Sequence, residues 1–223
     1  MTGPRLALFD VDGTLVDSQS HIAGAMEAAF AAENLPAPRR EAILSVVGLS
    51  LPLAIATLAP AQSEPARARM LDAYRETYFG LRVGTEASPL FPGARAALDA
   101  LAGAPGVVLG IATGKSRRGL EAILAAHGLS QLFDTLQHAD DHPSKPHPAM
   151  VLAALEETGV APGAAVMIGD TKFDIEMGRA AGVRTLAVGW GYHPADRLAG
   201  ADARIDGFGA LPAALDRLWG GSA

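Results

Sequence analysis

Residues 6–9 are apolar, and the chain then sets two carboxylates one residue apart, Asp10 and Asp12, followed at once by Gly13 and Thr14. A short apolar run bounded by polar turn residues reads as a buried strand. Asp10 and Asp12 then fall just past its C-terminal end, the edge at which open parallel sheets bind ligands. Positions two apart share one side of an extended chain, so both acids can face one pocket. Two acids that close repel unless a cation, a proton or a ligand offsets them. The stretch therefore reads as a metal-assisted or acid–base site. The competing reading is an Asp-Gly turn with Asp10 as a helix cap.

The pattern recurs downstream. Residues 107–112 form an apolar run that stops at Thr113-Gly114-Lys115. A weaker run, 135–138, leads into a polar loop that reaches Lys145-Pro146, and 165–168 stops at Gly169-Asp170. Residues 184–188 and 203–205 complete the set of expected strands. Between them, helical spacing of apolar residues covers 94–102, 116–127, 148–159, 174–181 and 211–218. Strands alternating with helices predict an α/β fold, a doubly wound parallel sheet with right-handed crossovers. Such a sheet brings Asp10, Asp12, Thr113, Lys145 and Asp170 to one edge.

One block breaks the alternation. From residue 20 to about 84 the spacing is helical, over 20–33, 39–47, 51–58 and 64–82, with no strand signal. An all-helical block after the first strand of an α/β chain reads as an inserted subdomain. The expected division is a core of 1–18 and 85–223 with a helical insert of 19–84.

Composition excludes several classes. Of 223 residues, 49% are hydrophobic, enough for a substantial core and incompatible with general disorder. No apolar run approaches the roughly 20 residues that span a bilayer. Cysteine is absent, which removes disulfides, thiolate nucleophiles and Cys-based zinc sites. The N-terminus enters the first strand with no signal-peptide pattern, so the expected location is cytoplasmic, with no membrane partner. A net charge of −6 without a basic block argues against a nucleic-acid partner. Monomer and dimer both stay open.

Asp10-Val11-Asp12-Gly13-Thr14 after an apolar strand resembles the first motif of the haloacid dehalogenase superfamily in its phosphatase branch, and most closely the phosphoglycolate-phosphatase-like hydrolases with a helical cap. Thr113-Gly114 is similar to the second motif, Lys145 in Lys145-Pro146-His147-Pro148 to the third, and Gly169-Asp170-Thr171-Lys172-Phe173-Asp174 to the fourth. The resemblance covers nearly the whole chain. The true dehalogenases lack the second aspartate, so Asp12 points to phosphate chemistry. The resemblance implies a Mg²⁺-dependent phosphomonoester hydrolase acting on a small phosphorylated metabolite, 2-phosphoglycolate among the candidates. It makes Asp10 the nucleophile and Asp12 the general acid and base. Mg²⁺ would be held by Asp10, the backbone carbonyl of Asp12, and Asp170, with Asp174 in the outer shell. Thr113, Gly114 and Lys145 would bind the substrate's phosphate. The resemblance also implies that a cap loop selects the substrate, and that loop maps onto Gly48, Leu49 and Ser50.

Competing functions lie within the family and outside it. No charged residue sits in 47–51 and Thr14 replaces the valine common in the sugar-phosphate mutases, which counts against a mutase. No lysine occurs between residues 20 and 84, which counts against a phosphonate-cleaving enzyme that would need a cap lysine. A pyrophosphatase and a non-catalytic phosphate-binding protein also compete, the latter disfavoured by the second acid, Asp12. Arg39, Arg40 and Arg82 are the cap cations within sequence reach of the site. His138, His142 and His147 with Asp140 and Asp141 match no standard zinc spacing and read as a solvated loop. Lys115, Arg117 and Arg118 read equally well as an anion-attracting mouth and as a solvated helix face.

Overall fold

The sheet is built outward from its first strand, β1 (Arg5–Phe9). The computed structural model describes residues 3–84 and 87–220, and the side chains of these except 82–84. Five further strands follow: β2 (Val107–Thr113), β3 (Thr135–His138), β4 (Ala165–Gly169), β5 (Arg184–Val188) and β6 (Ala203–Ile205). All pair in parallel, in the order β3-β2-β1-β4-β5-β6. Phe9 lies opposite Ile111 of β2 and Ile168 of β4, so Asp10, Thr113 and Asp170 leave three adjacent strands at the same edge. The chain turns one way from β1 to β2 and the other way to β4, which opens a crevice at β1.

The apolar runs are unbroken because both faces of the sheet are covered. Ala7 and Phe9 pack with α5 (Ala94–Ala102), α6 (Arg117–Ala126) and α9 (Leu211–Leu218). Leu6 and Leu8 pack with α7 (Ala149–Thr158) and α8 (Lys172–Ala180) on the other face. Successive side chains of a strand point to opposite sides, so two helical layers need two apolar sets.

Between β1 and α5 come α1 (Gln19–Ala31), α2 (Arg40–Leu44), α3 (Leu51–Leu58) and α4 (Glu64–Gly84). These helices bury Ile22, Met26, Phe30, Ile43, Ile55 and Met70 in a hydrophobic cluster separate from those flanking the sheet. Among the described residues, no strand occurs in this segment, and no helix is long and apolar enough to cross a membrane.

Most elements stand where the spacing places them, and the differences have local causes. The second insert helix ends at Leu44, not Val47, and residues 45–48 form a tight turn into Gly48, at φ +96°. α8 begins two residues earlier than its apolar spacing suggests. Thr171 and Asp174 form a reciprocal capping box that satisfies the first free backbone N–H groups of the helix. Three short 3₁₀ turns, at Pro162–Ala164, Ala195–Leu198 and Phe208–Ala210, have no periodic signal that would predict them.

Candidate active site

Asp10 follows β1 directly, and its backbone N–H donates to the Ile168 carbonyl at 2.9 Å, so the residue stays fastened to β4. Its side chain is 1% exposed. Neither carboxylate oxygen has a hydrogen-bond partner, although Lys145 Nζ lies at ion-pairing distance, 2.9 Å from Oδ1. Lys145 comes from the loop after β3, is fully buried, and donates to Asp174 Oδ1 at 2.6 Å. The other oxygen of Asp174 accepts from the Thr171 N–H (3.0 Å) and hydroxyl (2.7 Å). Asp174 thus ties Lys145 to the start of α8. Asp170 accepts from the Thr14 hydroxyl at 3.0 Å and from the Tyr192 N–H at 2.8 Å, one on each oxygen. Gly13, at φ +84°, passes so close that a Cβ would stand 2.2 Å from Asp170 Oδ2. Only glycine suits both that backbone and that gap.

This centre holds more negative charge than it can balance. One ammonium, Lys145, faces three buried carboxylates, Asp10, Asp170 and Asp174, whose oxygens come within 4.8 Å of one another. Burial pushes the Asp10 carboxyl up to about 7, Lys145 opposes the shift, and Asp174 and Asp12 add to it. Burial likewise raises Asp170 well above the ordinary carboxylate value, with Asp174 and Asp10 adding. For Lys145, burial works against the charged form, but Asp10 and Asp174 outweigh it and lift its pKa. A cation among oxygen donors is what such a cluster lacks. Asp10 Oδ2 has no partner and Oδ1 faces only Lys145, and Asp170 keeps a free lone pair on each oxygen. These two acids fit a hard, oxygen-seeking cation of the Mg²⁺ or Ca²⁺ kind. Both oxygens of Asp174 already accept hydrogen bonds, which suits an outer position.

Asp12 belongs to a second network. Lys115 Nζ sits 2.8 Å from each of its oxygens, and the Ser18 hydroxyl donates to one of them. Lys115 also donates to the Tyr78 hydroxyl of α4 at 3.0 Å, which brings the insert into contact with the strand-end loop. The Ser18 N–H donates to the Tyr192 hydroxyl at 2.9 Å. The basic run after Thr113 follows neither of its two readings as a whole. Lys115 turns inward to Asp12, Arg117 pairs with Asp141 at 2.6 Å, and the Arg118 guanidinium stacks on Phe79 at 4.5 Å. Local spacing contains no signal for Lys115, Tyr78 or Tyr192 as partners of Asp12 and its neighbours.

Thr113 is buried at the end of β2, and the Gly48 and Leu49 carbonyls of the loop 47–51 lie against the next residue, Gly114. A Cβ on Gly114 would stand 2.5 Å from the Gly48 carbonyl and 2.6 Å from that of Leu49. The Ser50 N–H donates to the Ser144 hydroxyl at 2.8 Å, next to Lys145. His193 Nδ1 accepts from the Lys172 N–H at 3.1 Å, which leaves Nε2 to donate to the Ser45 carbonyl, also at 3.1 Å. Between this loop, α1, α4 and the strand ends lies a cavity of about 470 Å³ with Asp10, Asp12, Thr113, Gly114 and Lys115 in its lining. Of the expected cap arginines, Arg39 and Arg40 are exposed and do not line the cavity, and Arg40 instead donates to Gln19 at 3.0 Å. The Arg82 side chain lies outside the described residues. The arginines at the mouth are Arg75 and Arg118. The histidines of the β3 loop have separate partners: His138 faces Asp141, His142 pairs with Gln137, and His147 accepts from the Ala149 N–H. Among the described residues, the acid and histidine group able to hold a metal contains no histidine.

The family model of haloacid dehalogenase-like hydrolases matches residues 7–188. Curated relatives include the probable phosphatase IndB of Dickeya dadantii, 36% identical over 90% of this chain and 87% of the relative. The N-acetylmuramic acid 6-phosphate phosphatase of Pseudomonas aeruginosa is 35% identical over 96% and 95%. The phosphoglycolate phosphatase of Haemophilus influenzae is 31% identical over 85% and 87%. Among solved structures, a predicted phosphoglycolate phosphatase from Haemophilus somnus superposes with a TM-score of 0.84 at 25% identity, covering 96% of this chain and 99% of that one. With the family matched over most of its length and strand-end acids gathered at one crevice, the chain belongs to the haloacid dehalogenase-like hydrolases and is a phosphatase of their phosphoglycolate-phosphatase-like group.

Proposed function

We propose that this phosphatase is a Mg²⁺-dependent phosphomonoester hydrolase that works through an aspartyl phosphate on Asp10. The observation that favours this most is the buried Asp10 carboxylate, one oxygen paired only with Lys145 and the other without a partner, beside Asp170 and in the same cavity as a second, separately held acid. Bound by Asp10, Asp170 and the Asp12 backbone carbonyl, Mg²⁺ would neutralise the local charge and polarise the phosphoryl oxygens. Asp10 then attacks phosphorus in line with the ester oxygen. The bond from Asp10 to phosphorus forms as the ester P–O bond breaks, and protonated Asp12 gives its proton to the leaving alkoxide. In the second half, Asp12 takes a proton from water, which attacks the same phosphorus and frees phosphate and Asp10. The pairing of Asp12 with Lys115 corresponds to the ionised form that this second step uses. The Thr113 hydroxyl, the Gly114 N–H and Lys145 bind the phosphoryl oxygens, and Asp174 keeps Lys145 in place.

In this reading residues 19–84 act as a lid on a core of 1–18 and 85–223. Gly48, Leu49 and Ser50 form the loop that selects the substrate. The lid opens about hinges near residues 17–20 and 84–92, of which 85 and 86 lie outside the described residues, since such segments commonly gate enclosed sites. The relatives' names give two different substrates, so the reaction class transfers to this chain and a particular metabolite does not. A cytoplasmic site of action without nucleic-acid or membrane partners completes the reading. The test is release of p-nitrophenolate from p-nitrophenyl phosphate. Turnover should vanish in chelator, return with Mg²⁺, and be absent in Asp10→Asn. Full activity in excess chelator would refute the metal assignment, and an active Asp10→Asn protein would refute the nucleophile.

A further inference from the structure

The cavity over Asp10 is larger and more apolar than a short-chain acid phosphate requires. Its 470 Å³ falls among sites that enclose whole ligands of about 300–1,000 Å³. At about 30 Å³ per water, it has room for on the order of fifteen. The strand-end floor supplies Asp10, Asp12 and Thr113, and Ser50, Tyr78, Ser116 and Asp140 also line the cavity. Apolar walls above the floor come from Ile22 and Met26 of α1, Val46 of the loop before Gly48, and Tyr74 of α4. A two- or three-carbon alcohol would occupy only the end beside Asp10 and leave these walls against water.

The charges are also in the wrong places for a short acid. In such a substrate the carboxylate lies within a few bonds of the phosphate and calls for a cation at the floor. Lys115 is bound to both oxygens of Asp12, and Lys145 to Asp10 and Asp174. Arg75 and Arg118 stand at the outer mouth, the first largely exposed and the second stacked on Phe79. Among the described side chains lining the cavity, no other cation is present.

Resting on the phosphatase reading of the same site, we propose that the substrate is a phosphomonoester of a ring-sized, predominantly apolar alcohol, whose body fills the space between α1, Val46 and Tyr74. The test compares ethyl phosphate with 2-phenylethyl phosphate. Both are primary alkyl esters, so leaving-group chemistry is matched and only the body differs. Burial of the ring should raise kcat/KM by about 10- to 100-fold, with 2-phosphoglycolate no better than ethyl phosphate. Ile22→Asn and Val46→Asn, each checked for a cooperative melt, should cut that ratio to within about threefold of unity. Calorimetry on Asp10→Asn should show the same preference in binding alone. That readout stands if one wall variant fails to fold. Hydrolysis of p-nitrophenyl phosphate with no preference for the ring, or with 2-phosphoglycolate preferred, overturns this inference and leaves the phosphatase reading intact. No hydrolysis of any of these esters in Mg²⁺ overturns that reading and the inference with it.

Discussion

Replacing Asp10 by asparagine should change how stability depends on pH, and the size of the change follows from the burial of this carboxyl. Without a bound cation the folded protein holds the Asp10 proton up to about pH 7, against an ordinary value of 3.8, chiefly because burial penalises the charge. The sign is that of an acid with a raised folded pKa. The native state binds the proton more tightly than the unfolded chain, so stability falls as pH rises between the two values. At up to about 1.4 kcal/mol per pH unit, the loss is about 2 kcal/mol between pH 5 and pH 7 and about 3 kcal/mol by pH 8, where it is nearly complete. Asparagine keeps the shape and cannot ionise. In chelator, Asp10→Asn should therefore gain about 3 kcal/mol relative to wild type between pH 5 and pH 8, and losing the Asp10 charge relieves the upward pressure on Asp170 in the same direction. Mg²⁺ should restore wild-type stability at pH 8 and do little at pH 5, where protons compete for the same oxygens. Urea unfolding followed by the fluorescence of Trp190 and Trp219 measures all of this. A difference between the two proteins that stays flat to within about 1 kcal/mol from pH 5 to pH 8 would refute the reasoning.

Lys145→Met leaves Asp10 and Asp174 buried without their cation and should cost about 3–5 kcal/mol in the same urea assay; a loss under about 1 kcal/mol would contradict the charge balance described for this centre. Asp12→Asn should lower turnover of alkyl phosphates by roughly 10²–10⁴-fold. Phosphorylated Asp10 should accumulate in that variant, detected by intact-protein mass spectrometry, and wild-type rates would remove Asp12 from the acid–base role. Gly114→Ala puts a methyl group 2.5 Å from the Gly48 carbonyl and should push the 48–50 loop away from the end of β2. Misplacement on that scale can cost up to about 100-fold in kcat/KM, and unchanged steady-state kinetics would show that the loop's seat on Gly114 is irrelevant to catalysis.

The strands are legible because burial on both faces of a parallel sheet demands an uninterrupted apolar run, and 6–9, 107–112 and 165–168 are such runs. Their abrupt polar ends locate Asp10, Thr113 and Asp170, and the lack of any strand signal over 20–84 agrees with the helices α1–α4 found there. The start of α8 escapes the spacing because a side-chain cap sets it, where apolar periodicity has nothing to report. Lys115 is the clearest case of a residue hidden from sequence. Beside Arg117 and Arg118 at a helix start, it is as consistent with a solvated face as with anything else. Its role comes from Asp12, 103 residues earlier, and from Tyr78 on the insert.

The chain's own order of residues therefore determined the sheet, the edge at which chemistry gathers and the acids that stand there, since each follows from local periodicity and strand direction. Only the tertiary structure decided which cation each acid receives, that Arg39 and Arg40 do not line the cavity, and that Ile22 and Met26 serve as cavity wall as well as core. Helical spacing records which face of a helix avoids water, and that face looks the same whether it meets another helix or the empty space above Asp10.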